Sequence, residues 1–433
     1  MSIRRIYYAT EEPRNMMWLP SLYFAKGLPY VIIMVTALLF YKQMGLSNAQ
    51  ITFYTSWLYL PWVMKPLWAP FVDRAGSKRW WMLATELLIG AALGGIAFTI
   101  PTTFKMQGSL CLFFLIALAC ASHNVATDKY YNMAVRKDMR LTYRSVRELS
   151  YRIAMIVGQG VLVMLAGNVQ VLYRNSISYS WCLLFYFAAG IMLLLWLWHT
   201  QTLPHLRLDR WQYIDLRDTW SEITQTTKTF LRKPKLWFIL LFIMLFRLPE
   251  ALINKVSVLF LIDYSTKGGL GLAPQEYAFT QGTLGIVGIT LGAFLGYKAI
   301  SSRGFKRCLW PMALSLLISP VIYLVLSLLK TQDITHIALC MLIDQTAYSF
   351  GTTAYLAFIV QACKNDFTLH HRTMCKAFVA LSMMLPAMIS GLLQETMGYQ
   401  LFFLVTLLCG LCTLLMALAL PYYIITRCNK LTQ

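Results

Sequence analysis

The stretch Trp62-Val-Met-Lys65-Pro66-Leu-Trp68-Ala-Pro70-Phe-Val-Asp73-Arg74-Ala-Gly76-Ser-Lys78-Arg79-Trp80 joins one long apolar run to the next. The first run ends in two prolines, passes through Asp-Arg, turns at a glycine and shows two adjacent cations. It reads as a tight basic hairpin between two membrane helices. A weaker copy, Gly296-Tyr-Lys298-Ala-Ile-Ser-Ser-Arg303-Gly304-Phe-Lys306-Arg307, recurs in the second half. A basic hairpin present twice points to a transporter built from two related halves.

Composition sets the class. The chain is 58% hydrophobic and only 13% charged, with mean hydropathy +0.57, and apolar runs of membrane-crossing length recur throughout. A net charge of +20 would suggest nucleic acid in a soluble protein. In a membrane protein, cytoplasmic loops and anionic lipid headgroups account for it, so no nucleic-acid partner is expected. The ten cysteines fall in apolar segments or in loops assigned to the cytoplasm, which argues against a disulfide framework. Cys409-Gly-Leu-Cys412 lies inside an apolar helix without a second pair and reads as packing. The first 15 residues are polar and the first apolar run is too long for a signal-peptide core, so no cleavable signal peptide is expected.

Twelve spans are predicted, at about 16–42, 50–72, 80–101, 108–134, 145–168, 178–200, 235–263, 274–299, 307–330, 335–361, 372–396 and 400–425. Five of the 38 Lys and Arg (Lys42, Lys105, Arg174, Lys267 and Lys330) fall in the loops of one side. Six lie within spans, and the remaining 27 fall at the termini and in the loops of the other side. The asymmetry predicts cytoplasmic N- and C-termini in a multi-pass inner-membrane protein.

The longest connection divides the chain into an N-terminal six-helix bundle (1–200), a cytoplasmic linker (201–234) and a C-terminal six-helix bundle (235–433). In the linker, Leu208, Trp211, Trp220, Ile223, Thr227 and Phe230 recur at helical intervals, which predicts an amphipathic helix on the inner membrane surface. The halves also match locally. Leu28-Pro29 and Leu248-Pro249 lie 220 residues apart, Gly45-Leu46 and Gly271-Leu272 lie 226 apart, and the two hairpins lie 228 apart. Offsets that drift in this way are what a duplicated ancestor leaves. The predicted fold class is therefore an all-α polytopic membrane protein, with 12 transmembrane helices in two pseudo-symmetric six-helix bundles.

Ionisable groups inside hydrocarbon are functional candidates, because each is costly unless it lines a cavity or finds a partner. Asp128 is expected to couple protons or bind substrate, with His123 and Asn124 a turn away as substrate contacts. The alternative is an ion pair with Arg152 or Lys129 that locks span 4 on span 5. Arg247 and Glu250 share a helical face with Asn254, and Pro249 interrupts the backbone ladder between the two charges. Arg247 could hold an anionic group of the substrate, with Glu250 as its partner in the empty state and a second proton-coupling candidate. The alternative is a permanent salt bridge.

Lys26 is expected either to bind substrate or to pair with Glu250 or Asp344. Asp344, Gln345 and Tyr348 share a face and could hydrogen-bond a sugar or peptide, or else clamp helices together. Lys65 reads as a snorkelling structural residue and Lys255 as a pore-rim charge. Asp73 and Arg74 read as a gate latch, against a purely topological role for the hairpin cations.

The sequence resembles the major facilitator superfamily in its twelve spans and paired hairpins. It more closely resembles the AmpG-like permeases, the muropeptide branch that also includes acetyl-CoA transporters. Tyr23-Phe-Ala-Lys26-Gly-Leu-Pro29, Pro61-Trp62 through Lys65, Trp68-Ala-Pro70 and Asp73-Arg74 carry that resemblance. So do Asn124-Val-Ala-Thr-Asp128-Lys-Tyr130, Tyr151-Arg152, Arg247-Leu-Pro-Glu250, Asp344-Gln345, Gly351-Thr352 and Cys363-Lys-Asn-Asp-Phe367.

The resemblance implies a secondary transporter, a proton-coupled importer of a peptidoglycan-derived muropeptide. The alternatives are transport of another peptide, anionic amphiphile or acyl-CoA-like solute, and a non-transporting receptor or scaffold. No glycine-rich phosphate loop, zinc motif or nucleophile elbow appears, so neither enzyme activity nor a cofactor is expected. No metal is expected at His370-His371. The expected partners are the substrate, protons and the bilayer, with the protein a monomer.

Overall fold

The computed structural model describes residues 16–173, 176–206, 208–209, 216–233, 236–362 and 369–428. Among them, helices form twelve spans. Span 1 is Trp18–Gln43, span 2 is Asn48–Ser56 continued by Leu60–Arg74, span 3 is Lys78–Thr99 and span 4 is Lys105–Ala134. Spans 5 and 6 are Thr142–Leu172 and Ile177–Thr202. Spans 7 to 10 are Leu236–Ile262, Pro274–Arg303, Phe305–Leu329 and Ile334–Ala362. Leu369–Cys428 contains spans 11 and 12, divided at Gly398, whose φ of 75° only glycine adopts easily.

Nine of these helices are apolar enough to cross a membrane by composition alone, one of them being the long pair His371–Ala419. Spans 2 and 10 fall short, and both carry polar side chains to the interior cavities described below. Large apolar residues such as Leu194, Phe294 and Leu329 face outward, as lipid contact allows.

Span 7 breaks where Pro249 predicts. One helix ends at Phe246 and the next starts at Leu248, leaving Arg247 between them at φ −105° and ψ 14°. Spans 1, 5 and 8 each widen into a short π-helical stretch, Ile32–Thr36, Ile156–Val161 and Ala278–Leu284. The last two meet at the contact between the halves, where a Cβ added to Gly282 would lie 2.4 Å from the Gln159 carbonyl oxygen. Span 2 packs on span 11 in the related way, through Gly391. The pairings of span 5 with 8 and span 2 with 11 follow the internal duplication.

The first hairpin is held by helix-end chemistry. Gly76 turns at φ 59°, and the Lys78 ammonium donates to the carbonyls of Val72 (2.8 Å) and Gly76 (3.2 Å) at the end of span 2. At the start of span 3, the Asp209 carboxylate accepts from the backbone N–H groups of Lys78 (2.5 Å) and Arg79 (2.9 Å). Arg79 reaches the carbonyls of Thr200 (2.6 Å) and Leu203 (3.1 Å), at the end of span 6. These bonds stay within the first half and its linker.

The amphipathic linker helix forms as Leu216–Leu231. It buries Ile223 and Phe230 while Trp220 remains 58% exposed. Contrary to a purely surface-lying role, it covers a cavity between the halves. Arg74 forms an ion pair with its Glu222, and its Thr229 hydroxyl lies 3.2 Å from His371 Nε2 of span 11. Trp211 and Cys363–Phe367 lie outside the described residues, and so does the side chain of His370.

Candidate functional site

Two cavities lie between the halves. The central one, about 190 Å³, takes Tyr30 from span 1, Tyr59 from span 2, Gln159 from span 5 and Tyr277 and Gln281 from span 8. Span 7 contributes Glu250, Asn254 and Ser257, span 9 contributes Ser319 and Tyr323, and span 10 contributes Asp344, Gln345 and Tyr348. A wall of tyrosines and amides with few charges suits hydrogen bonding and ring stacking against a sugar or peptide.

The break in span 7 sets the charge of this cavity. Arg247 and Glu250 form a two-pronged ion pair, with Arg247 Nε donating to Glu250 Oε2 at 2.6 Å. Arg247 also reaches the Tyr348 hydroxyl (3.3 Å) and lies over the Tyr355 ring at 5.1 Å. Asp344 is 1% exposed. Its Oδ2 accepts from Gln345 Nε2 (2.7 Å) and the Tyr323 hydroxyl (3.3 Å), while Oδ1 lacks a well-aligned hydrogen bond. Five of the expected residues (Glu250, Asn254, Asp344, Gln345 and Tyr348) thus meet on one cavity, with Arg247 paired to one of them.

Asp128 and Lys26 sit elsewhere. They pair with each other at 2.7 Å, which replaces every partner expected for either from sequence. Asp128 lines the second cavity, about 380 Å³, at the end of the molecule that carries the basic hairpins. That cavity is walled by Lys65 and Asp73 of span 2, Lys129 and Asn132 of span 4, Glu222 of the linker helix and Lys376 of span 11. Lys65 therefore faces a cavity rather than only snorkelling. Asp73 pairs with Lys129 at 3.3 Å and Arg74 with Glu222, so neither bridges the halves in this conformation.

His123 lines neither cavity. It is 1% exposed and bonds through Nε2 to Glu86 (3.2 Å) and through Nδ1 to the Thr127 hydroxyl (3.3 Å). Glu86 is wholly buried and also binds His199 (2.8 Å). Asn124 is partly buried with Oδ1 unbonded, and it too lies off both cavities.

Lys255 departs most from its expected place. It is 1% exposed, and its ammonium donates across the halves to the hydroxyls of Thr55 (2.7 Å) and Ser56 (2.9 Å) of span 2. A cation at a pore rim would have water, whereas this one is buried against two hydroxyls and the Tyr59 ring, 5.6 Å away.

Beyond Lys255, on the side away from the hairpins, the halves are sealed. Asp263 at the end of span 7 accepts from Lys42 (2.6 Å), Asn48 (2.8 Å) and the Tyr399 hydroxyl (2.6 Å). Asn48 also donates to Gln394 (2.7 Å), and Glu395 accepts from the Ala49 N–H (3.0 Å). Sequence reading did not find this network, nor Glu86. Glu86 carried a usable signal, a lone carboxylate inside an apolar run. Tyr30, Tyr59, Gln159, Tyr277 and Gln281 of the central cavity carried none.

A search of known proteins agrees with this architecture. The chain is 24% identical over 406 residues to the anhydromuropeptide permease of Escherichia coli (strain K12), covering 91% of this chain and 77% of that protein. A POT family transporter solved in complex with 5-aminolevulinic acid superposes with a TM-score of 0.72 at 13% identity, over 95% of this chain and 96% of that one. A D-xylose-proton symporter gives 0.68 at 12% identity, over 93% and 95%. The family description of the Major Facilitator Superfamily matches residues 21–368. This chain of two six-helix bundles around a shared polar cavity belongs to the major facilitator superfamily.

Proposed function

We propose that the protein imports a peptidoglycan-derived muropeptide by alternating access, driven by the proton gradient. The observation that carries this reading is the central cavity, lined by both halves, with the Arg247–Glu250 pair at the break of span 7. Polar groups around a broken helix at mid-membrane suit a transporter's binding site. The similarity to the anhydromuropeptide permease supports the cargo. With the basic hairpins cytoplasmic, the sealed end faces outward and the larger cavity inward.

In this reading Asp128 and Glu250 exchange the proton. Each is held by one cation, Lys26 or Arg247. A proton on the carboxyl removes the attraction and frees the cation for an anionic group of the substrate, which links the proton to the cargo. Asn254, Asp344, Gln345 and Tyr348 hydrogen-bond the neutral part of the substrate. His123 and Asn124 act only through the packing of span 4. Asp73 and Arg74 change partners when the basic end closes.

Purified protein in proteoliposomes, with an acidic exterior, is expected to accumulate labelled disaccharide-peptide, whereas protein-free liposomes do not. Glu250→Gln and Asp128→Asn separate the coupling groups, because the coupling residue loses accumulation but keeps substrate exchange. Accumulation of another peptide, amphiphile or acyl-CoA in place of the muropeptide would refute the cargo. No uptake of any of them by folded protein would refute transport and favour a receptor.

A further inference from the structure

The cavity at the basic end is lined by three lysines and three carboxylates, and two cations from outside its wall, Lys26 and Arg74, take up two of those carboxylates. Three carboxylates line it, and each already has a cation: Asp73 with Lys129, Asp128 with Lys26 and Glu222 with Arg74. Lys65 and Lys376 line the same cavity, and among the described residues neither has an ion pair or hydrogen bond. They come from opposite halves, Lys65 from span 2 and Lys376 from span 11. These two ammonium groups make no ion pair of their own and share only the field of Asp128, which Lys26 already holds, so together they offer a site for an anion that reaches both.

Size supports the same conclusion. The central cavity, at about 190 Å³, lies below the roughly 300 Å³ at which pockets begin to enclose drug-sized ligands. A disaccharide-peptide needs more room than that. Asp128 is on the wall of the basic-end cavity, and its partner Lys26 stands one turn along span 1 from Tyr30, on the wall of the central one. A single elongated ligand would reach both spaces by displacing the Lys26–Asp128 pair that stands between them.

Resting on the functional reading above, we infer that the basic-end cavity is a carboxylate-binding subsite. Lys65 and Lys376 hold the free carboxylates of the peptide while its sugar rings stay among the tyrosines of the central cavity. Because the two lysines belong to opposite halves, the anion also screens their repulsion while both halves hold it.

The test measures equilibrium binding of a labelled disaccharide-tripeptide, as free acid and as carboxyl methyl ester, to purified protein in uncharged phosphatidylcholine nanodiscs. Wild type is expected to prefer the free acid by about tenfold or more, the scale of a charge-assisted contact. Lys65→Gln/Lys376→Gln should lose most of that preference, keeping only the share of Lys26 or Arg247, and change ester affinity less than threefold, and Lys65→Arg/Lys376→Arg should keep most of the preference. A preference undiminished in the glutamine pair, or a wild type that binds acid and ester equally, overturns the subsite while leaving the cargo standing. Wild type binding neither form sinks both. Competition by added anionic lipid, with no preference between acid and ester, would assign the lysines to a lipid headgroup instead.

Discussion

At the end away from the hairpins, the two halves touch through a buried network centred on Asp263, with close backbone contact at Gly391. At the basic end, the ion pairs stay within the first half or reach only the linker helix, and a cavity of about 380 Å³ separates span 2 from span 11. The same two spans thus seal one end and stand apart at the other. The sealed end is satisfied group by group, so opening it strands buried charge. At the open end, among the described residues, no ion pair crosses between the halves in this conformation. The difference assigns the cost of conformational change mainly to the Asp263 network.

The sharpest way to break the contrast is Asp263→Ala. It leaves Lys42 with no anion among the described residues and only its bond to Asn48 Oδ1 (2.6 Å), and removes acceptors from Asn48 and Tyr399. Removing one partner of a buried ion pair costs about 3 kcal/mol or more, roughly a hundredfold in the balance between sealed and unsealed states. Thr52→Cys, buried at this contact, reports it. Labelling by an impermeant maleimide should be slow in the parent and much faster with Asp263→Ala. Equal labelling would remove the network from the seal.

Gly391→Ala acts on the same contact by shape alone. A Cβ there would lie 2.3 Å from both the Asn48 carbonyl oxygen and the Thr52 hydroxyl. Backbone cannot yield as a flexible side chain does, so overpacking of about 2 kcal/mol is expected, roughly thirtyfold toward the unsealed state. The same labelling reads it. If Gly391→Ala leaves labelling unchanged while Asp263→Ala raises it, polar bonding alone makes the seal.

This contrast also marks what the sequence could convey. Twelve spans, the break at Pro249 and the paired hairpins were legible because each is a local signal: run length, a missing N–H, a glycine turn beside cations. Partnership was not. Lys26 and Asp128 lie 102 residues apart, and Lys255 meets Thr55 and Ser56 at a separation of about 200. Which intramembrane charges meet depends on how spans from both bundles rotate, and periodicity does not encode that. Arg247 and Glu250 were legible because both sit on one turn of one helix.

The smallest effect belongs to the hairpin. Asp73 pairs with Lys129 of its own half, and the two side chains are 24% and 41% exposed. Pairs so open to solvent contribute less than about 1 kcal/mol, so Asp73→Asn should leave thermal stability and Thr52→Cys labelling nearly unchanged. A latch that works only when the basic end closes gives a different signature. Substrate exchange and net uptake should then both slow while stability holds, because the loaded and the empty carrier alike pass through the state in which that end is closed. If both rates stay at the parent value, Asp73 has no part in the gate and the hairpin serves topology alone. If net uptake alone falls, only the empty carrier needs the latch, and bound substrate holds the closed end together in its place.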